Sequence, residues 1–328
     1  QLNLLIHEWD VPSVNLLGAI DNGSGQWASG YVADNAHPNT AGHAEMFYVI
    51  VPSLLDALAA EKPQPQRVEN TSLVLTKGET TQRIALTPEN VLHSFTLTFG
   101  FKTTDTGTLA SFVTATGDSA FIKINAQGKL AYETYSTTAT KTSTGTVNDG
   151  QWHNASLTYY YAWGKTILYL DGTQVNLTPL SEKHVPTGFH INDFGDAPQS
   201  AAYREVFLHR AGMSKEEIQA LHQGKMLKSS LEIYAPLDAE ASDKLYNAAQ
   251  SLNTLEWEER QTTAINKPRT GGMLPEVKYV YSLTGRQIAC FPASDNTSLS
   301  SLPKGVYILK QTGGTHTSYK KIVLFTNN

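Results

Sequence analysis

Asp34-Asn35-Ala36-His37-Pro38-Asn39-Thr40-Ala41-Gly42-His43 is the stretch of this 328-residue chain whose residue types could do chemistry. Asp34 and His37 stand three residues apart. At that spacing a carboxylate can orient and charge-stabilise an imidazole, which can then act as general base toward a serine hydroxyl. Pro38 bends the chain toward a helix, so both side chains can share one mouth. Asn39 and His43 read as residues that start this helix.

The elements that must position the pair form residues 1–62. Val11-Pro12-Ser13-Val14-Asn15-Leu16-Leu17 is a short apolar run suited to a strand buried on both faces of a parallel sheet. A Gly-, Ser- and Asn-rich loop follows, and then a helix is expected from Thr40 to Ala60. Phe47, Ile50, Val51, Leu54, Leu55 and Leu58 recur at three- and four-residue spacing, which makes one apolar face. Pro52 lacks the donor that would reach the carbonyl of Tyr48 and should kink that helix.

The longer string, Asp-x-x-His-Pro-Asn-x-x-Gly-His on a strand-loop-helix background, resembles the last conserved block of the SGNH (GDSL-type) serine hydrolases. The resemblance implies that Asp34 and His37 are triad members and that the following helix closes a flavodoxin-like three-layer sandwich. It covers about the last fifth to third of such a domain. The family's nucleophilic Ser and its oxyanion-hole Gly and Asn come earlier, and none of those blocks is present. Gly117-Asp118-Ser119 is a literal GDS, but it lies downstream of the His block between two strand-like runs, where a hairpin turn accounts for it. Gln1 opens neither with Met nor with a basic n-region, so the start reads as processed or truncated.

Glu61-Lys62-Pro63-Gln64-Pro65-Gln66 is a polar, proline-bearing linker, after which the apolar period changes from helical to two. Phe95, Leu97, Phe99 and Phe101 alternate with Thr and Gly, and Leu157 and Tyr159 alternate with Thr158 and Tyr160. Many short strands at this spacing indicate a β-sandwich across residues 63–255. Asn148 to His153 turns into a strand carrying Trp152, and Asp171-Gly172 is a hairpin tip. Ser214 with Glu217 makes a capping box for a helix. Together these motifs resemble the LamG-like, concanavalin A-type jelly roll, a family of carbohydrate-binding modules and spacer domains. Trp163 and Tyr161 could offer stacking faces to sugar rings or fill the sandwich core. Asn192-Asp193 with Asp196 could supply oxygen ligands to calcium or form a solvated loop. No metal ligand set or cofactor is expected.

Residues 256–273 lack an apolar period and read as a linker. Residues 274–328 alternate again as a compact β-module. The order "YSLTGRQIA", "LPKGVYILK", "KKIVL" resembles the C-terminal sorting-type domains of secreted Bacteroidetes proteins, which implies a secreted or cell-surface location. The expected fold is therefore mainly β: a concanavalin A-like jelly roll flanked by an N-terminal α/β fragment of SGNH type and a small C-terminal β-sandwich.

A net charge of -5 provides no basic field for phosphate backbones, so no nucleic-acid partner is expected. No run of about 18 apolar residues exists to span a membrane as a helix. The single Cys290 excludes an intrachain disulfide and a Cys-based zinc site. Two functions follow. One is the C-terminal portion of an exported esterase or acylhydrolase, suited to deacetylating a polysaccharide, whose missing N-terminal half would be a partner. On that reading the chain alone is inactive, because a triad without nucleophile and oxyanion donors has no covalent route. The other is a non-catalytic carbohydrate-binding or structural cell-surface protein, with a polysaccharide or acylated glycan as partner.

Overall fold

In a computed structural model, residues 2–9, 11–78, 80–134, 141–179, 183–261, 277–282, 287–292, 305–313 and 316–324 are described. The chain divides into two compact units, residues 1–262 and 263–328.

Two antiparallel sheets form the first unit. Period-2 sequence places large apolar groups on their facing sides. One sheet has the order β1 (Leu73–Thr76), β11 (Ser200–His209), β3 (Phe95–Lys102), β7 (His153–Tyr160), β8 (Lys165–Leu170), β9 (Thr173–Pro179), with β12 (Leu231–Ala235) also pairing with β11. The other runs β13 (Leu255–Gln261), β2 (Thr80–Leu86), β10 (Pro186–Ile191), β4 (Gly107–Thr114), β5 (Ser119–Ile124), β6 (Leu130–Thr134).

The phenylalanine alternation does what its period requires: Phe95, Leu97, Phe99 and Phe101 of β3 all enter the inter-sheet core. Phe95 meets Phe112 of β4 and Phe189 of β10 edge to face, with centroids 5.4 and 4.9 Å apart. Each such buried ring contributes about 1.5–3 kcal/mol. Asp171 and Gly172 both take positive φ (49° and 73°) between β8 and β9, as a two-residue hairpin demands. Gly117-Asp118-Ser119 turns the β4–β5 hairpin. Helix α5 (Lys215–His222) starts in the expected capping box and buries Ile218 and Leu221 on the outer face of the seven-stranded sheet, against Phe207, Tyr160 and Tyr169.

The first sixty residues depart from expectation. Val11–Leu17 is not a strand, and the segment's β structure is limited to the isolated bridges Asp21 with Trp27 and Val32 with Pro38. A parallel strand needs neighbours, and the described residues supply none here. The run's polar atoms bond to the sandwich instead: the Asn15 amide N–H donates to Ser230 Oγ (2.8 Å), and Ser13 Oγ meets Ser229 Oγ (2.5 Å). The segment is helical in short pieces: α1 (Leu2–Glu8), α2 (Leu17–Ile20), α3 (Thr40–Tyr48) and α4 (Leu54–Ala59). Pro52 lies in the gap that separates α3 from α4, so the expected single helix is two. Its apolar stripe is split as well, since Val49 and Val51 are buried while Phe47, Ile50 and Leu55 are exposed.

This segment is laced to the sandwich by buried polar bonds. His7 Nε2 lies 3.2 Å from Glu217 Oε1, and Asn15 Nδ2 donates to the same oxygen at 3.1 Å. Arg210, 1% exposed, donates through Nε to the Tyr48 carbonyl at 3.0 Å, through Nη2 to the Val91 carbonyl, and through Nη1 to Glu232 at 2.6 Å.

Strand β13 continues to Gln261, into the stretch expected as linker. Its exposed Glu256, Glu259 and Arg260 around Trp257 hide the strand period, because an edge strand need not be apolar.

The second unit contains β14 (Val277–Ser282), β15 (Gln287–Pro292), β16 (Gly305–Gly313) and β17 (His316–Leu324), which form one antiparallel sheet in the order β15-β14-β16-β17. The turn expected at Thr284-Gly285 and the Leu302-Pro303-Lys304 stretch lie outside the described residues.

Candidate functional site

Local hydrogen bonding builds the Asp34–His37 pair. Asp34 Oδ1 accepts the backbone N–H groups of Ala36 (2.7 Å) and His37 (2.8 Å), an Asx turn that sets the loop. The ring Nδ1 of His37 then lies 3.0 and 2.9 Å from the two carboxylate oxygens. The backbone N–H of Ala36 and then the His37 ring hold the Asp34 carboxyl below its ordinary pKa, so it is ionised at neutral pH. With Nδ1–H donated to Asp34, the lone pair falls on Nε2, the tautomer a general base requires.

Both side chains are open to water, His37 at 75% and Asp34 at 59% exposure. Among the described residues no serine hydroxyl is hydrogen-bonded to Nε2. Asn39 caps α3 by accepting from the Gly42 N–H at 3.0 Å, while His43 is exposed on that helix. The segment that carries the dyad also exposes Leu5, Trp9, Val11, Leu16, Leu17, Phe47, Ile50 and Leu55. An apolar cavity of about 310 Å³ opens there, lined by Leu16, Leu17, Ile20, Trp27 and Met46.

Tyr161 and Trp163 follow β7 and sit where the N-terminal segment meets the sandwich. The Tyr161 ring stacks on His93 at 3.8 Å, His93 Nδ1 lies 2.9 Å from Glu45 Oε2, and the Lys183 ammonium stands 4.6 Å from the Tyr161 centroid. Burial, and then the Glu45 charge, raise the Tyr161 hydroxyl pKa. Trp163 packs edge to face on Tyr160 and lies so close to Gly23 that a Cβ there would come within 2.5 Å of the indole. Both rings already have protein neighbours across part of their surface.

A second concavity lies on the outer side of the seven-stranded sheet. Here β11 carries a bulge between Arg204 and Phe207, and Glu205 takes a positive φ of 52°. The bulge brings Arg204 and Glu205 to the rim of a cavity of about 230 Å³ that Arg67, Glu69, Asn70 and Thr71 also line. Arg67 is engaged at each of its three nitrogens: it grips Glu205 through Nε (2.5 Å) and Nη2 (2.8 Å) and caps the end of α5 through Nη1 at the Leu221 carbonyl (2.7 Å).

Arg204 differs. Its stem runs over Gly100, where a Cβ would fall 2.7 Å from Arg204 Cγ, and its guanidinium lies 4.3 Å from the Trp152 ring centroid. Its Nε is buried without a hydrogen-bond partner among the described residues. Sequence reasoning singled out Trp152 as a strand-starting aromatic but missed Arg204, because the bulge that pairs them leaves no mark in the local pattern.

Loop residues 192–196 hold their oxygens for protein partners. Asn192 Oδ1 accepts from Tyr203 Oη (3.2 Å), Asp193 Oδ1 accepts from the Gly195 N–H (2.7 Å), and Asp196 Oδ2 accepts from Thr108 Oγ1 (3.2 Å). Among the described residues no group of three or more His, Cys, Asp or Glu is placed to hold a metal ion.

The fold and the family comparison agree on the class of this domain. Residues 78–219 match the family model described as the concanavalin A-like lectin/glucanases superfamily, and that stretch is a LamG-like jelly roll. No curated protein matches the chain. Similar solved structures include a carbohydrate-binding candidate from Bacteroides ovatus, 16% identical, covering 62% of this chain and 62% of that one with a TM-score of 0.43. Domains LG4-5 of the mouse laminin alpha1 chain are 10% identical over 78% of this chain and 76% of theirs, TM-score 0.36. The carbohydrate-binding module CBM40 of a Ruminococcus gnavus sialidase is 12% identical over 47% of this chain and 97% of its own, TM-score 0.35. Among the described residues no helix is long and apolar enough to cross a membrane.

Proposed function

We propose that this chain is a non-catalytic carbohydrate-binding protein of the exported or cell-surface kind, in which the jelly roll presents the glycan site. The observation that carries this reading is the polar cavity over the β11 bulge, with Arg204, Asn70 and Glu69 on its walls and Trp152 beside it. Hydroxyl-rich ligands are recognised by mixed donors and acceptors next to an aromatic surface. The lectin-type family model matched by residues 78–219 supports the same role.

The test is migration of the full chain through native gels cast with neutral and acidic polysaccharides, acetylated and deacetylated. Slowed migration in at least one, relieved by the free oligosaccharide, is expected. Unaltered migration in all of them refutes glycan binding.

The Asp34–His37 dyad supports a second reading. The pair has the tautomer-setting geometry of a triad, and the exposed apolar groups of the same segment would suit a hydrolase half packed against them. On this reading the chain is the C-terminal portion of an SGNH-type esterase, and residues 274–328 direct export. The chain by itself should not turn over activated acetyl esters. Turnover that is abolished by His37→Ala, with a fluorophosphonate label on a serine of this chain, would overturn the prediction that the nucleophile is absent.

A further inference from the structure

We infer that the cavity over the β11 bulge binds the carboxylate of an acidic sugar, with Arg204 as its anchor; the inference rests on the glycan-binding reading above. The two arginines at this cavity have opposite fates. Arg67 has its charge matched by Glu205 and its Nη1 directed to the carbonyls of Leu221, in α5, and of Lys225, just beyond it. Arg204 has neither an ion pair nor a hydrogen bond among the described residues, and its Nε is removed from water.

The buried Nε lies against Gly100, so the terminal Nη groups are the ones that can meet a ligand in the cavity, and such a pair is best satisfied by a planar, two-oxygen acceptor. Carboxylate fits that geometry. The side chain is also held ready: Gly100 leaves room for the stem, and the Trp152 ring backs the guanidinium. Binding therefore need not order a free arginine.

Cavity size limits the ligand. About 230 Å³ falls just below the usual range of small-molecule sites, which suits one sugar ring rather than a run of them. Asn70, held at a φ of 61°, brings an amide that both donates and accepts, which suits ring hydroxyls. Glu69 is exposed, so its charge is screened by water and its oxygens remain available to a hydroxyl.

The experiment is calorimetric titration of the full chain with trigalacturonate and with its fully methyl-esterified form, at low and at physiological salt. The acid is expected to bind at least tenfold more tightly than the ester. Arg204→Ala should reduce acid binding to the level of the ester, and Arg204→Lys should recover only part, since an ammonium lacks the fork. Thermal melting of each variant checks that the sandwich is intact, and the ester comparison needs no mutation.

Equal affinity for acid and ester, or unchanged affinity in Arg204→Ala, overturns the inference. So does preference for a sulfated over a carboxylated oligosaccharide. If a neutral polysaccharide slows the chain in gels while trigalacturonate does not bind, this inference falls and the glycan reading stands. If no saccharide binds at all, both fall.

Discussion

Replacing Arg210 with Met should cost the first unit a large share of its stability. Arg210 comes from β11's end, yet its guanidinium serves three partners: Glu232 on β12, the Val91 carbonyl and the Tyr48 carbonyl at the end of α3. Both charges are sealed from water, Arg210 at 1% and Glu232 at 0% side-chain exposure. Methionine fills similar space but leaves the carboxylate buried with only the N–H of Glu89 (2.7 Å) and Nδ2 of Asn253 (2.5 Å) on its other oxygen. Breaking one side of such a pair costs about 3–5 kcal/mol. For a unit of this size that corresponds to a melting temperature lower by roughly 10 °C. Glu232→Gln in the Arg210→Met background should recover part of the loss, because it removes the orphaned charge while keeping an acceptor for the Glu89 and Asn253 donors. Differential scanning calorimetry with urea titration reads both. A loss below about 1 kcal/mol for Arg210→Met would refute the argument that this pair fastens the N-terminal segment.

Two buried histidines should make stability fall with acid. Burial, and then the Arg83 charge, lower His190 to about 4, and burial lowers His209 to about 4, against an ordinary value of 6.5. Between those values the unfolded chain binds protons that the folded one refuses, so stability declines as pH falls from 6.5 toward 4 and levels off below. The full effect is about 3 kcal/mol per histidine. Urea titrations at pH 7.5 and 4.5 should show a smaller pH difference in His209→Gln than in the parent chain, and an identical difference would contradict the sign worked here. Gly23→Ala should cost about 1–3 kcal/mol, since φ there is 82° and the new methyl would meet the Trp163 indole. A melting curve checks it, and indole fluorescence should change with it.

Contacts local in sequence were legible and contacts across the fold were not. Phe95 to Phe101 announced a strand by period alone, and Ser214 with Glu217 announced a helix start, because both signals lie within a few residues. The Asp34–His37 dyad was readable for the same reason: its geometry is set by an Asx turn of four residues. Val11–Leu17 misled because its apolar composition suggests burial, whereas Val11, Leu16 and Leu17 are exposed and the polar Ser13 and Asn15 fasten the run to residues 229–230 of the sandwich. Arg204 and Trp152 were unreadable as a pair, since a bulge in β11 and a side-chain-free Gly100 on β3 bring together groups about fifty positions apart. Trp163 was legible as an aromatic but not as the neighbour of Gly23, a contact made across 140 positions.

The edge formed by β13 bears on how copies of this protein behave toward one another. Among the described residues no strand pairs with its outer side, which would let a strand from a second molecule extend the six-stranded sheet, and Trp257, 40% exposed, would reward that pairing. Glu256, Glu258 and Glu259 stand in the way, Glu258 paired with Arg83 at 2.5 Å and Glu259 accepting from Gln82 Nε2 at 2.6 Å. Antiparallel pairing of two such edges would set carboxylates against carboxylates. Such a charged selvedge opposes the edge-to-edge knitting of two copies, a restraint that added salt would slacken by screening the carboxylates.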